Sequence, residues 1–198
     1  MKFTTVILTS ILFLSCKKKN HENHVTIDIQ PFADVSKEKV SYVYKELQKL
    51  YPFVQLKQAV SLPTSAFYPL RGRYRADSLI NFLARRTPEG HITIGITSED
   101  ISTTKDSITD WGIMGLGFCP GKSCVASDFR LSVTPGERLI QLFKVSIHEL
   151  GHTQGLSHCE VKSCFMRDAE GRNPTNEEVE FCKKCKAILV HKGWKFTK

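Results

Sequence analysis

The chain has 198 residues, 28 of them basic and 20 acidic, and a formal net charge of +8 at neutral pH. The basic residues are scattered and no recognition module with interleaved aromatic residues is apparent, so the composition argues against nucleic-acid binding. The length suits one compact domain with its own core and is too short for us to expect two.

The first 24 residues are typical of an exported, lipid-anchored protein. Lys2 precedes the apolar run Phe3–Leu14, which is too short to span a bilayer as a stable helix. The run leads into Leu14-Ser15-Cys16, which resembles the lipobox of a bacterial lipoprotein. We expect residues 1–15 to be a signal peptide, Cys16 to be lipidated and residues 16–24 to form a polar tether, so that the protein is membrane-anchored in the cell envelope, periplasmic or surface-facing. A plain signal peptide or an uncleaved anchor is the alternative.

Residues 25–131 predict strands interspersed with helices. Ser36 is a candidate cap for a helix whose apolar stripe runs from Val40 to Tyr51. A second helix is expected over Asp77–Arg86. Strands are predicted at Val25–Ile29, near Phe53–Leu56, at the isoleucine-rich segment His91–Thr97, and on both sides of a glycine- and cysteine-containing loop within residues 111–131.

Two capping-box patterns predict where helices begin in the last third of the chain. Thr134, Pro135 and Glu137 fit the first turn of a long helix. Thr175 and Glu178 have the same spacing and predict the start of a C-terminal helix that carries Cys182.

The strongest functional motif lies on the long helix, at His148-Glu149-Leu150-Gly151-His152. Histidines four residues apart lie on one helix face, so both imidazoles can reach one metal ion, and Glu149 can address a metal-bound water. Gly155 allows the chain to turn back and bring His158 as a third ligand. Three protein ligands and one open position are typical of a catalytic zinc site.

The histidine motif is followed by Cys159, Cys164, Phe165, Met166, Cys182 and Cys185. Together these residues resemble those of the archaemetzincins, which are metzincin-type zinc metallopeptidases with a four-cysteine zinc site beside the catalytic one. The resemblance implies a mixed α/β fold with a twisted mixed sheet, two backing helices, the active-site helix and a small C-terminal subdomain stapled by zinc, over residues 25–198. It also implies a methionine turn at Met166 beneath the catalytic zinc, and a strand within residues 111–131 that pairs with bound substrate.

The resemblance and the short cysteine spacings assign Cys159, Cys164, Cys182 and Cys185 to a structural zinc, giving two zinc ions per chain. Cys119 and Cys124 are then left over, and in an exported protein we expect them to form a disulfide across the Pro120-Gly121 turn rather than to be free thiols. The competing assignment places all six of these cysteines in disulfides.

The function that follows is a zinc-dependent peptidase, monomeric, acting on peptides or proteins at a metal-activated water with Glu149 as general base. One alternative is a non-catalytic lipoprotein that binds zinc or peptides on the same scaffold, although binding alone does not require Glu149. A structural envelope protein is the other, although structural zinc sites are usually closed. The sequence leaves open the substrate, the membrane leaflet and the choice between endopeptidase and aminopeptidase action.

Overall fold

The computed structural model describes residues 24–169 and 171–197, so the predicted signal peptide, Cys16 and nearly all of the tether lie outside the described residues. The helices are α1 (Lys37–Leu50), α2 (Ala76–Ala84), α3 (Pro135–Thr153) and α4 (Lys183–His191). The strands are β1 (Thr26–Pro31), β2 (Val54–Leu56), β3 (Phe67–Tyr68), β4 (Arg73–Arg75), β5 (His91–Thr97), β6 (Ile101–Lys105), β7 (Ile108–Ile113), β8 (Gly115–Gly117) and β9 (Ser123–Ser127).

The main sheet has five strands in the order β2-β1-β5-β9-β8. Strands β2, β1, β5 and β9 pair in parallel, whereas β8 pairs antiparallel with β9 and forms one edge of the sheet. A smaller sheet, in the order β3-β4-β6-β7, contains the β6–β7 hairpin that leads directly into β8. Both edges of strand β9 are therefore covered, while β8 has one edge without a strand partner in the described sheet.

Helices cover both faces of the main sheet. Because successive side chains of a strand point to opposite faces, a single strand contributes to both of the resulting cores. On β9, Cys124 and Ala126 belong to the larger core, which also contains buried residues of α1, α3 and the C-terminal segment. Val125, between them, belongs to the second core, which is built around α2. Gly95 lets α2 approach closely, since a Cβ there would lie 2.7 Å from Leu83 Cδ1. The mixed α/β fold with backing helices is thus confirmed.

The starts of α1 and α3 agree with the sequence, but only α1 has the predicted side-chain cap. Ser36 caps α1 and accepts a hydrogen bond from the Lys39 N–H at 3.4 Å. Thr134 occupies the N-cap position of α3, but its side chain makes no capping bond. The reciprocal capping box is therefore wrong in detail, because Glu137 accepts hydrogen bonds from Ser132 and from a distant residue, Asn176.

The C-terminal helix begins eight residues after Thr175, so the predicted start is wrong. Helix α4 starts at Lys183 with Cys182 as its N-cap. The preceding segment runs beside Ser163–Phe165 instead, where the Val179 N–H donates to the Ser163 carbonyl and the Phe165 N–H donates to the Glu180 carbonyl, both at 2.9 Å. These bonds use backbone groups that a helix would need. Among the described residues, no helix has the length and apolar character needed to cross a membrane.

Candidate metal centres and the cleft

Three histidine side chains converge at the end of α3. His148 and His152 lie on one face of the helix, and the chain then reverses at Gly155, whose φ of 84° favours glycine. The reversal brings His158 back, and the three ring centroids lie 4.6, 5.0 and 5.4 Å apart. The ligand atoms of the three imidazoles all lie within 4.8 Å of one another, so the group is able to hold a metal ion.

The Nδ1 atoms orient the rings of this cluster. His148 Nδ1 donates to the Phe165 carbonyl and His152 Nδ1 donates to the Leu156 carbonyl, each at 2.7 Å, because a carbonyl oxygen can only accept. His158 Nδ1 lies 3.2 Å from Asp168 Oδ2. For His148 and His152, a neutral ring that donates through Nδ1 has a lone pair on Nε2, which is the tautomer that binds metal.

The chemistry of the donor set fits a zinc ion. The Nε2 atoms of His148 and His152 lie 3.0 Å apart. Two unprotonated nitrogens repel each other at this distance, whereas a shared tetrahedral zinc ion holds its nitrogen ligands about 3.3 Å apart. Burial, together with the charge of His152, lowers the pKa of His148 to about 3, and burial also lowers the pKa of His152. Both rings are therefore neutral and ready for a cation at physiological pH.

Glu149 lies beside this cluster, and glycines of the edge strand make room for it. A Cβ at Gly115 would lie 2.6 Å from Glu149 Oε1, and one at Gly117 would lie 2.6 Å from the Glu149 carbonyl oxygen. Burial raises the pKa of the Glu149 carboxyl to about 8, although a backbone hydrogen bond from Gly117 opposes that shift. The sequence analysis predicts no role for Gly115 or Gly117, although a Gly-x-Gly pair in a strand can indicate the close approach of another element.

An open cleft of about 740 Å³ runs over the three histidines. Strand β8 forms one wall, and the segment after Met166 forms the other. The free edge of β8 therefore lines the same cavity as the candidate metal ligands, and α3 forms the floor with Lys144, Val145 and Glu149.

The four cysteines assigned to a second zinc also come together. The Sγ atoms of Cys159, Cys164, Cys182 and Cys185 lie within 4.8 Å of one another, and all four are free thiols. Cys159 Sγ and Cys182 Sγ are 3.7 Å apart, close to the spacing of about 3.8 Å that a tetrahedral zinc ion gives to its sulfur ligands. This geometry disagrees with the competing assignment to disulfides.

The pKa values of the clustered thiols differ, because a thiolate on one cysteine opposes ionisation of its neighbours. Burial and the neighbouring thiols raise the pKa of Cys185. Burial also opposes ionisation of Cys182, but hydrogen bonds from the Cys185 backbone and the surrounding thiols lower its pKa to about 7. Such a set ionises fully only around a cation, so the residues fit a bound metal.

Met166 lies beneath the histidines, fully buried. A Cβ at Gly151, which is on α3 between the two helical ligands, would meet the Met166 Sδ and lie 3.2 Å from its Cε. The Met166 thioether therefore packs against the metal-bearing turn of the helix, and the absence of a side chain at Gly151 allows this contact.

The structure contradicts the expected disulfide between Cys119 and Cys124, since both thiols are free. Cys119 is exposed and its Sγ lies 3.4 Å from the Leu156 carbonyl oxygen. Cys124 is buried within β9, opposite Gly117, so its side chain belongs to the core below the edge strand. The two residues are close in sequence, but one belongs to a surface loop and the other to a buried strand.

The fold and these clusters define a class of protein, the metzincin-type zinc metallopeptidases. The model of peptidase family M54 matches residues 8–191. An archaemetzincin of Haloarcula marismortui is 31% identical over 176 residues, which cover 83% of this chain and 99% of that protein. The crystal structure of an archaemetzincin from Methanopyrus kandleri aligns with a TM-score of 0.73 at 27% identity, covering 87% of this chain and 97% of that one.

A second solved structure, an archaemetzincin from Archaeoglobus fulgidus in complex with malonate, aligns with a TM-score of 0.69 at 25% identity over 83% of this chain and 99% of that one. The chain belongs to peptidase family M54 and is a zinc metallopeptidase of the archaemetzincin type.

Proposed function

We propose that this protein hydrolyses peptide bonds at a zinc ion held by His148, His152 and His158, with Glu149 as the general base. The observation that carries the proposal is the convergence of three imidazoles beside a buried carboxyl group in an open cleft. Because His148 and His152 are on a packed helix and their Nδ1 atoms are hydrogen-bonded, little reorganisation is needed when the metal binds.

A bound zinc ion supplies two kinds of chemistry here, since it lowers the pKa of water and polarises a substrate carbonyl. The Glu149 carboxylate accepts the proton of the attacking water and returns it to the leaving amine. Burial of the carboxyl group favours its protonated form, which makes the carboxylate a stronger proton acceptor. The Gly117 N–H holds the carboxyl group in place.

The substrate binds as an added strand on the free edge of β8, as the metzincin resemblance implies. Strand β8 runs from Gly115, which lies beside Val145, to Gly117, which lies beside the backbone of Glu149. An antiparallel peptide therefore enters with its N-terminal part near Gly117. The residues that follow the scissile bond then extend beyond Gly115, toward the first half of α3.

A second zinc ion is held by the four clustered cysteines and has a structural role. The cluster joins the loop after His158 to the start of α4, next to the edge-on contact between the buried rings of Phe165 and Phe181. A closed set of four thiolates leaves no position for substrate, which supports a structural rather than a catalytic role.

The protein is anchored to the cell envelope through a lipidated Cys16 and functions as a monomer. Support comes from the apolar run and the lipobox-like Leu14-Ser15-Cys16, which precede the tether. The three lysines after Cys16 add attraction to an anionic membrane surface.

The test combines metal analysis and turnover on the full chain in detergent. We expect two zinc ions per chain and cleavage of a quenched-fluorescence peptide library by the wild type. Glu149→Gln should keep both zinc ions and lose turnover, whereas Glu160→Gln, an exposed glutamate just after the ligands, should behave like the wild type.

Undiminished cleavage by Glu149→Gln would contradict the general-base role. A fully zinc-loaded wild type that binds library peptides but cleaves none would favour the alternative of a non-catalytic binding lipoprotein.

A further inference from the structure

The cleft is electrostatically asymmetric about the metal-binding histidines. We define the leaving half as the part that lies beyond Gly115, along the first half of α3. The 172–178 segment belongs to it, because Lys144 Nζ donates to the Thr175 carbonyl at 2.6 Å and Asn173 Nδ2 donates to Gln141 at 3.0 Å. Its lining includes Lys105, Trp111, Arg130, Lys144, Arg172 and Glu178.

Four cationic side chains line the leaving half. Lys105 Nζ lies 5.2 Å from the centre of the Trp111 ring, and Lys144 is held by a carbonyl oxygen. Arg172 is exposed, and neither it nor these two lysines forms an ion pair with a carboxylate among residues 24–169 and 171–197. The positive charges of Lys105 and Arg172 are therefore available to a ligand, whereas that of Lys144 also interacts with Glu178.

The fourth cation, Arg130, is positioned by its neighbours. Its guanidinium makes a two-point contact with Asp100, with N···O distances of 2.8 and 2.9 Å. It also lies against Gly112, where a Cβ would lie 2.7 Å from Arg130 Nε. These contacts fix the guanidinium at the cleft wall. Asp100 neutralises part of its charge, and the remaining N–H groups of Arg130 can donate to a ligand.

Little negative charge opposes these cations within the leaving half. Among the described residues that line this half, Glu178 is the one with a carboxyl group, and burial raises its pKa to about 7 despite the nearby Lys144 and Arg167. Asp168 lies at the other part of the cleft, next to His158. The described side chains of the leaving half consequently carry a net positive charge, in a cavity with partly apolar walls that strengthen the field.

We propose that the leaving half selects substrates that carry a carboxylate after the scissile bond. That carboxylate is either the side chain of an acidic residue or the C-terminal group of a short peptide, since both offer the same planar acceptor to Lys and Arg. This inference rests on the proposed function, because the direction of the substrate follows from strand addition to β8. It deepens that function by naming the substrate class.

The experiment compares matched peptides on the zinc-loaded full chain. One pair differs only by Glu against Gln at positions after the scissile bond, and a second pair differs only by a free against an amidated C-terminus. We expect kcat/KM to favour the carboxylate member by about tenfold, since single exposed ion pairs contribute little and several cations act together. The pair with the larger ratio identifies the source of the carboxylate. The preference should weaken as salt is added.

Charge-removing variants locate the effect in the cleft. The double variant Lys105→Gln with Arg172→Gln should reduce the carboxylate preference several-fold, because two exposed cations of the leaving half are lost while Arg130 and Lys144 remain. Lys184→Gln removes an exposed charge on α4, outside the cleft, and should keep the wild-type ratio. Equal loss in both variants would attribute the preference to net charge and overturn the proposal.

The failure of this inference differs from failure of the proposed function. Cleavage of both members of each pair at equal rates leaves the peptidase intact and overturns the carboxylate preference. If no peptide is cleaved, the same pairs are compared by fluorescence anisotropy for binding to the zinc-loaded protein. Tighter binding of the carboxylate member that depends on Lys105 and Arg172 would then support the inference, and equal affinity would overturn it.

Discussion

Replacing Gly115 by alanine tests whether the edge strand positions the general base. Gly115 has no unusual backbone conformation and pairs with Ala126 in the sheet, so alanine is compatible with its φ and ψ. The added Cβ would lie 2.6 Å from Glu149 Oε1, 2.7 Å from Glu149 Cγ and 2.8 Å from Val145 Cγ1. Since ordinary contacts are about 3.5 Å, the Glu149 carboxyl group must shift by roughly 1 Å.

The size of the effect follows from that displacement. A misplacement of about 1 Å at a reacting group costs on the order of a hundredfold in rate. The overpacking also lowers the free energy of unfolding by about 1–3 kcal/mol. Because the three atoms nearest to the new methyl group belong to Glu149 and Val145 and not to a histidine ligand, we expect the zinc content to remain at the wild-type value.

The assay measures kcat and KM on one quenched peptide, with zinc content and thermal unfolding determined on the same samples. Gly136→Ala is the matched control, since a Cβ there meets nothing within 4 Å in the first turn of α3. We expect kcat to fall in Gly115→Ala and to be unchanged in Gly136→Ala. Full turnover in Gly115→Ala with zinc bound would refute the positioning argument. Loss of zinc in that variant would show instead that the ligands are disturbed.

Three other predictions concern the remaining parts of the molecule. Cys182→Ser should remove one zinc ion and make the C-terminal region sensitive to protease. Cys119→Ser, at an exposed free thiol, is the control and should keep both zinc ions. Equal metal content in the two variants would contradict the thiolate site. Because the pKa of Glu178 rises from 4.5 to about 7 on folding, its burial costs stability as pH rises through that interval. In urea unfolding, the free energy of unfolding of Glu178→Gln should therefore increase relative to that of the wild type by on the order of 3 kcal/mol between pH 4.5 and about 7. A difference between the two proteins that does not change with pH would exclude the pKa shift. Cys16→Ala should move the protein from the detergent phase to the aqueous phase in a partition experiment, and unchanged partition would argue against lipidation.

Features set by neighbours in sequence were predictable from the residues alone. The i, i+4 spacing of His148 and His152 places both rings on one helix face whatever surrounds the helix. Ser36 caps α1 through a bond to a residue three positions away. The isoleucine-rich β5 has the bounds His91–Thr97 that its sequence indicates. In each case the interacting groups are within one turn or one strand.

Features that depend on distant partners were decided by the tertiary structure. Residues 179–180 pair with Ser163 and so displace the start of the last helix to Lys183. Cys124 is turned into the core while Cys119 stays in a loop, so that nearness in sequence did not produce a disulfide. The slot for Glu149 exists only because β8 packs against α3 without side chains at Gly115 and Gly117. The sequence alone determined which side chains carry the chemistry. Packing between remote segments determined where those side chains point, because the hydrogen bonds and steric contacts that orient them join residues far apart in the sequence.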